Sequence, residues 1–170
     1  MLTRIFIAVF LCLMLSGCIL QSEQPVFAEK DGGAFFAPYG TQFASYSPDK
    51  AGWKTDDETL TFTPVGKHYV GSAGKDTIEV LFVPIAGNWW AMQAMDKDQI
   101  PGYALAEARP GEILIYPVAC KPLLTAGTFA AFIEFKDDDC LIRKGADVNA
   151  MFKLLATMPG DTSNRLVPLP

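Results

Sequence analysis

Between Thr59 and Val118 the chain is a succession of short runs, TLTFTPV, HYVGS, TIEVLFVPI, NWWAMQAM, YALAEA and EILIYPV, rich in β-branched and aromatic residues and separated by Gly, Pro, Asn or Asp. Such runs suit a pleated, half-buried surface better than a helix, and punctuators this closely spaced leave room only for tight turns. The expected fold class is therefore mainly β (α+β). It is an antiparallel β meander of about six strands, able to curl into a barrel, with a C-terminal helix packed on it.

The clearest hairpin spans Tyr103 to Val118, with Pro110 and Gly111 at the two central turn positions. Proline presets φ at the first and glycine permits positive φ at the second, as a type II turn requires. A two-residue loop sets Arg109 opposite Glu112 and Leu105 opposite Tyr116, and puts Tyr103, Leu105, Leu114, Tyr116 and Val118 on one face. A weak repeat runs alongside: Phe62, Pro64, Val65 and Tyr69 return twenty residues later as Phe82, Pro84, Ile85 and Trp89. That is the period of successive hairpins, although apolar strands followed by proline and an aromatic also recur by chance.

After Cys120 the pattern changes. KPLLTAGTFAAFIEF reads as a short helix starting near Pro122, then extended chain through Phe135. Asp147 has the character of a helix N-cap, with Val148, Met151, Phe152, Leu155 and Met158 at helical spacing and Pro159–Gly160 ending the run. Phe35 to Tyr46 is undecided between a strand and an irregular cover.

At the other end, Met1 to Arg4 carries one positive charge and Ile5 to Leu15 is an uninterrupted apolar run of eleven residues, short for a membrane span. Leu15, Ser16, Gly17 and Cys18 follow, small residues before a cysteine. This pattern resembles the lipobox of bacterial lipoproteins, and the resemblance covers residues 1–19. It implies that residues 1–17 are a signal peptide, that the Cys18 sulfur takes a diacylglyceryl group, and that cleavage leaves this cysteine first with its amine acylated as well. It also implies a lipid bilayer as partner through acyl chains, since two or three chains hold where one is marginal. In Gram-negative sorting an aspartate after the cysteine retains the protein at the inner membrane; Ile19 stands there instead, which implies the periplasmic face of the outer membrane. The competing readings are a plain secretory leader with an incidental cysteine and an anchor helix over Ile5–Leu20.

The domain organisation that follows is residues 1–17 as signal peptide, 18–33 as lipidated cysteine and flexible tether, 34–159 as one globular domain and 160–170 as a tail. The tether segment ILQSEQPVFAEKDGG is polar, proline-interrupted and aperiodic. Removing residues 1–17 takes away Arg4 and no acid, so 13 basic residues face 19 acidic ones, which argues against nucleic acid or anionic lipid headgroups as partners. Cys120 and Cys140 remain in the body of the domain. An oxidising envelope favours their pairing, their spacing is wrong for a Cys-x-x-Cys redox site, and a disulfide closing such a loop contributes about 3 kcal/mol.

No catalytic or metal constellation emerges. His68 is the single histidine, GSAG at 71–74 is not a nucleophile elbow, and nothing pairs His68 with Ser72. Asp96 and Asp98, and Asp137 to Asp139, lack the EF-hand glycine and closing glutamate and read as solvated acidic turns. Trp89 and Trp90 point to opposite faces of a strand, so one can join the core while the other, beside Gln93, meets a glycan or a protein. The alternative is that both are buried.

The functional expectation is a non-catalytic, membrane-anchored envelope lipoprotein binding a protein or a cell-wall glycan, with no cofactor beyond the covalent lipid. An inhibitor of a cell-wall hydrolase, by architecture alone, and an envelope enzyme are the alternatives. Cys18→Ser is expected to abolish labelling by a clickable fatty acid and to leave an uncleaved or mislocalised precursor; label persisting on that variant excludes lipidation at this cysteine.

Overall fold

A computed structural model of the protein describes residues 19–95, 100–136 and 139–170. Its strands are β1 (Leu20–Gln21), β2 (Gln42–Asp49), β3 (Gly52–Val65), β4 (His68–Ala73), β5 (Asp76–Ala86), β6 (Trp89–Met95), β7 (Pro101–Arg109), β8 (Glu112–Pro117), β9 (Ile133–Lys136), β10 (Asp139–Ile142) and β11 (Asn164–Pro168). Two helices, α1 (Cys120–Ala126) and α2 (Val148–Ala156), and one 3₁₀ turn at Glu29–Asp31 complete the described elements. Strands β2 to β8 follow one another around a wall, and β11 pairs with both β8 and β2 to close it as an antiparallel barrel of eight strands. The short strands β1, β10 and β9 branch from β7 outside the barrel.

The six runs of the central sequence are β3 to β8, and their pairing follows the turn chemistry. Gly111 has φ +77°, and the two-residue loop puts Arg109 opposite Glu112 and Leu105 opposite Tyr116. The repeat is also structural. Phe62 and Phe82 both face the barrel interior, and each copy turns into a returning strand. The sequence match slips by one at its end. Pro64 lies opposite Tyr69, but an irregularity after Pro84 puts that proline opposite Trp90 instead of Trp89. Trp90 is thus the counterpart of Tyr69, and both point inward.

An eight-stranded barrel is just wide enough for side chains to fill. Here the wall supplies Phe43, Phe62, Phe82, Met92, Ile113 and Leu166, but also the small inward residues Ala94, Ala104 and Ala106. The remaining space is occupied by chain from outside the wall. Residues 33–39 fold into one end of the barrel, and Phe35 and Phe36 insert there. Phe35 stacks on Phe82 at 4.1 Å with Trp90 edge-on at 5.1 Å; Phe36 stacks on Phe62 at 4.3 Å with Tyr69 edge-on at 4.9 Å. Phe35–Tyr46 is therefore plug first and strand second.

The outer wall of β5 to β8 forms a second core. Leu81, Val83, Leu105, Leu114 and Tyr116 pack under the N-terminal segment and α2. Asp147 caps that helix, its carboxylate accepting from the Ala150 amide at 2.9 Å. Met151, Phe152 and Leu155 are its buried residues, and Phe152 meets the rings of Phe27 and Tyr103. Elsewhere the outward faces are polar, as at Thr59, Thr63, Thr77 and Glu79.

Three expectations need correction. The segment expected to be a tether is part of the body: Ile19 and Leu20 are buried, β1 pairs with β7 and β10, and Phe27 is a core residue. The segment expected to be a tail contains β11, whose Leu166 faces the interior. Neither segment has a period to read, because their order comes from partners far away in sequence. Met158 is not in the helical stripe; α2 ends at Ala156 and Met158 is 48% exposed. The short helix expected near Pro122 is present as α1.

Because Phe152 is fully enclosed and Lys153 faces solvent, Phe152→Ala is expected to cost about 3 kcal/mol or more. Lys153→Ala is expected to cost less than about 0.5 kcal/mol. Urea unfolding of both variants checks the ordering.

Candidate functional site: the open end of the barrel

Strand alternation gives the barrel two unlike ends. The β3–β4, β5–β6 and β7–β8 turns ring the end filled by Phe35 and Phe36. The β2–β3 and β4–β5 turns, the start of β7 and the start of β11 ring the other. That second end is open. A cavity of about 90 Å³ enters the barrel there, walled by Leu60, Ile78, Val80, Met92 and Ile115 and floored by Phe62 and Phe82. Its polar groups are few: Ser45, Ser72 and Asn164. The Ser45 hydroxyl donates to Asp56 Oδ2 at 2.8 Å, and Ser47 donates to the same oxygen at 3.2 Å, so that carboxylate is satisfied at the rim. A broader recess of about 550 Å³ lies beside the plug, between residues 32–41 and the β3–β4 turn. It is lined by the plug segment itself with Pro64, Gly66, Lys67 and Tyr69, whereas the open mouth is walled by side chains of the barrel strands.

Among the residues singled out in the sequence, Cys18 lies outside the described residues, immediately before Ile19. Cys120 and Cys140 form a disulfide with Cα atoms 5.6 Å apart, joining the start of α1 to β10. Trp89 and Trp90 take opposite faces: Trp89 packs outside against Tyr116 at 5.2 Å, and Trp90 packs inside against Phe35. Gln93 is 3% exposed. Its Oε1 accepts from the Phe27 amide at 3.0 Å and its Nε2 donates to the Phe27 carbonyl at 3.2 Å. Trp89, Trp90 and Gln93 therefore share no ligand surface, and Gln93 clips the N-terminal segment to the wall. His68 sits at the plugged end with Nδ1 4.0 Å from Glu29. Asp96, Asp98, Asp137 and Asp138 lie outside the described residues, and no group of three potential metal ligands occurs among the described ones.

Two features escaped sequence reasoning. The mouth itself is assembled from inward positions on separate strands, and only barrel closure brings them together. The other is a buried carboxylate on the outer wall. Glu107 accepts from Asn88 Nδ2 at 2.9 Å, from Arg109 Nη2 at 2.8 Å and from the Tyr116 hydroxyl at 2.9 Å. Glu112 extends this network to Arg165, whose guanidinium lies over the Tyr46 ring. The arrangement staples the β5–β6 turn, β7, β8 and β11 together.

No family model matches the chain, and no curated protein or solved structure is significantly similar to it.

Burial pushes the Glu107 carboxyl up, but the donors from Arg109, Tyr116 and Asn88 outweigh it and hold the pKa below the ordinary glutamate value. A depressed native pKa means that the unfolded chain takes the proton first. The stabilisation is complete at neutral pH, begins to weaken near the unfolded pKa of about 4.3, and is lost as pH falls through the native value. Glu107→Gln is expected to reduce stability at pH 7 and to flatten its fall toward pH 3, as read from urea midpoints across that range.

Proposed function

We propose that this protein is a lipid-anchored envelope lipoprotein, attached through Cys18, whose barrel is a non-catalytic binding module that takes the end of an acyl chain into its open mouth. The lipobox supports the anchor. The observation that carries the binding reading is the hydrocarbon-walled cavity at one end of a barrel sealed at the other by Phe35 and Phe36. Binding there draws on burial of apolar surface, with Asn164 placed to meet a polar group at the rim.

Size narrows the ligand class. An apolar cavity of about 150 Å³ holds a benzene molecule, so the mouth suits a slim chain end better than a ring or a whole lipid. Each buried methylene contributes about 0.8 kcal/mol, which makes the interaction weak in solution. It becomes effective where chains are supplied at high local concentration, as they are beside a membrane. The glycan reading drew on an exposed tryptophan beside Gln93, and it has no such platform once Gln93 is enclosed and the two tryptophans are divided between the cores.

The test uses the chain from residue 19 onward, which contains every strand of the barrel, and follows methionine methyl resonances during titration with decanoate. Met92 in the mouth is expected to shift while Met151 under α2 stays still. Ala73→Phe, which fills the rim, is expected to weaken the shift at least roughly tenfold. A Met92 resonance that does not move up to the solubility limit of decanoate rejects this function.

A further inference from the structure

The chain leaves almost no slack between Cys18 and the folded body. Ile19 bridges Ala119, the Leu20 amide donates to the Val118 carbonyl at 2.9 Å, and the Ser22 amide donates to the Pro101 carbonyl at 3.3 Å. Pro101 begins β7, and Val118 directly follows the end of β8. Both positions belong to the open end. An acyl group on Cys18 is thus held at the rim of the barrel by a single connecting residue, and a bilayer that receives it lies against that end.

The surface found there suits such a neighbour. The β2–β3 hairpin projects beyond the wall: past Tyr46, the last β2 residue in register with β11, Ser47, Pro48 and Asp49 pair only with Lys54, Trp53 and Gly52. Strand β3 meets β4 only from Thr61 onward. Three residues of free ribbon reach about 10 Å past the neighbouring strands. At its tip Trp53 is 40% exposed, with Asp49, Lys50 and Lys54 exposed beside it. Ile100, 52% exposed, precedes Pro101 at the same end. An exposed indole at a projecting tip suits the interfacial layer of a bilayer, where its ring sits among the headgroups with its N–H still hydrated.

From these observations we infer that the open end is a membrane-docking surface, with the hairpin tip at Trp53 seated in the headgroup layer of the leaflet that holds the anchor. This rests on lipidation of Cys18. It adds a fixed orientation that presents the mouth to the bilayer and leaves the plugged end facing away.

The experiment uses the full-length lipidated protein, purified from membranes and reconstituted into phosphatidylethanolamine–phosphatidylglycerol vesicles containing lipids brominated near the top of the acyl chain. Trp53 emission is taken as the difference between the native protein and Trp53→Phe, with Trp89 and Trp90 as internal controls. The expected result is a loss of Trp53 emission of at least roughly twofold and protection from aqueous iodide, as interfacial indoles show. Vesicle flotation is read on the same sample. Protein that floats while Trp53 stays unquenched and open to iodide overturns the docking alone and leaves the tip free for a protein partner. Protein that fails to float overturns the anchor, and the docking with it.

Discussion

Everything in this barrel depends on two adjacent phenylalanines that are not part of its wall. Strands β6 and β7 turn Ala94, Ala104 and Ala106 inward, so the wall alone leaves its axis under-filled. Phe35 and Phe36 occupy that space, each stacked on one phenylalanine of the repeat and capped edge-on by one further aromatic. Loss of a buried phenylalanine typically costs 3–5 kcal/mol, a large share of the stability of a domain of this size. The plug also requires close backbone approach. A Cβ at Gly32 would lie 2.5 Å from Leu81 and 2.6 Å from the Lys67 carbonyl, and one at Gly33 would lie 2.7 Å from the Trp90 ring. The two glycines therefore let the chain press against the wall just before the insertion.

Filling one end gives the molecule its polarity. The other end keeps a hydrocarbon-walled mouth, and the N-terminal segment is bound to that same end by polar contacts that are short and enclosed. Ser22 and Tyr103 share a hydrogen bond of 2.6 Å between hydroxyls, and the Tyr103 hydroxyl also accepts from the Val26 amide and donates to Gln93. Among the described residues no enclosed side-chain polar atom lacks a partner. Such a network is costly to break in part, because each severed partner leaves a desolvated group behind. The point where the chain reaches Cys18 is thereby tied to the rim, and the proposed anchor, mouth and hairpin tip all belong to one end.

The six central strands could be read from composition and punctuation, and the Pro110–Gly111 turn set the register of its hairpin. The same reasoning recovered the Asp147 cap, the Phe152 face of the last helix, the cysteine pair and the opposite directions of Trp89 and Trp90. It failed for β1 and β11, which are short or aperiodic and hold their places only through partners such as Pro101, Ala44 and Ile113. The mouth was invisible for the same reason: Leu60, Ile78, Met92 and Ile115 alternate correctly within their own strands, and nothing local shows that they converge.

The sequence by itself determined the quantities that neighbouring residues control: strand and helix periodicity, turn conformation and charge. Tertiary structure alone decided closure, the plug and the difference between the two ends. Closure needs β11 to find β2 and β8, and the plug needs Phe35 and Phe36 to find a space that exists only after closure. Both contacts join residues whose separation along the chain says nothing of their distance in space, and their free energy comes from shape-matched burial that no local pattern encodes.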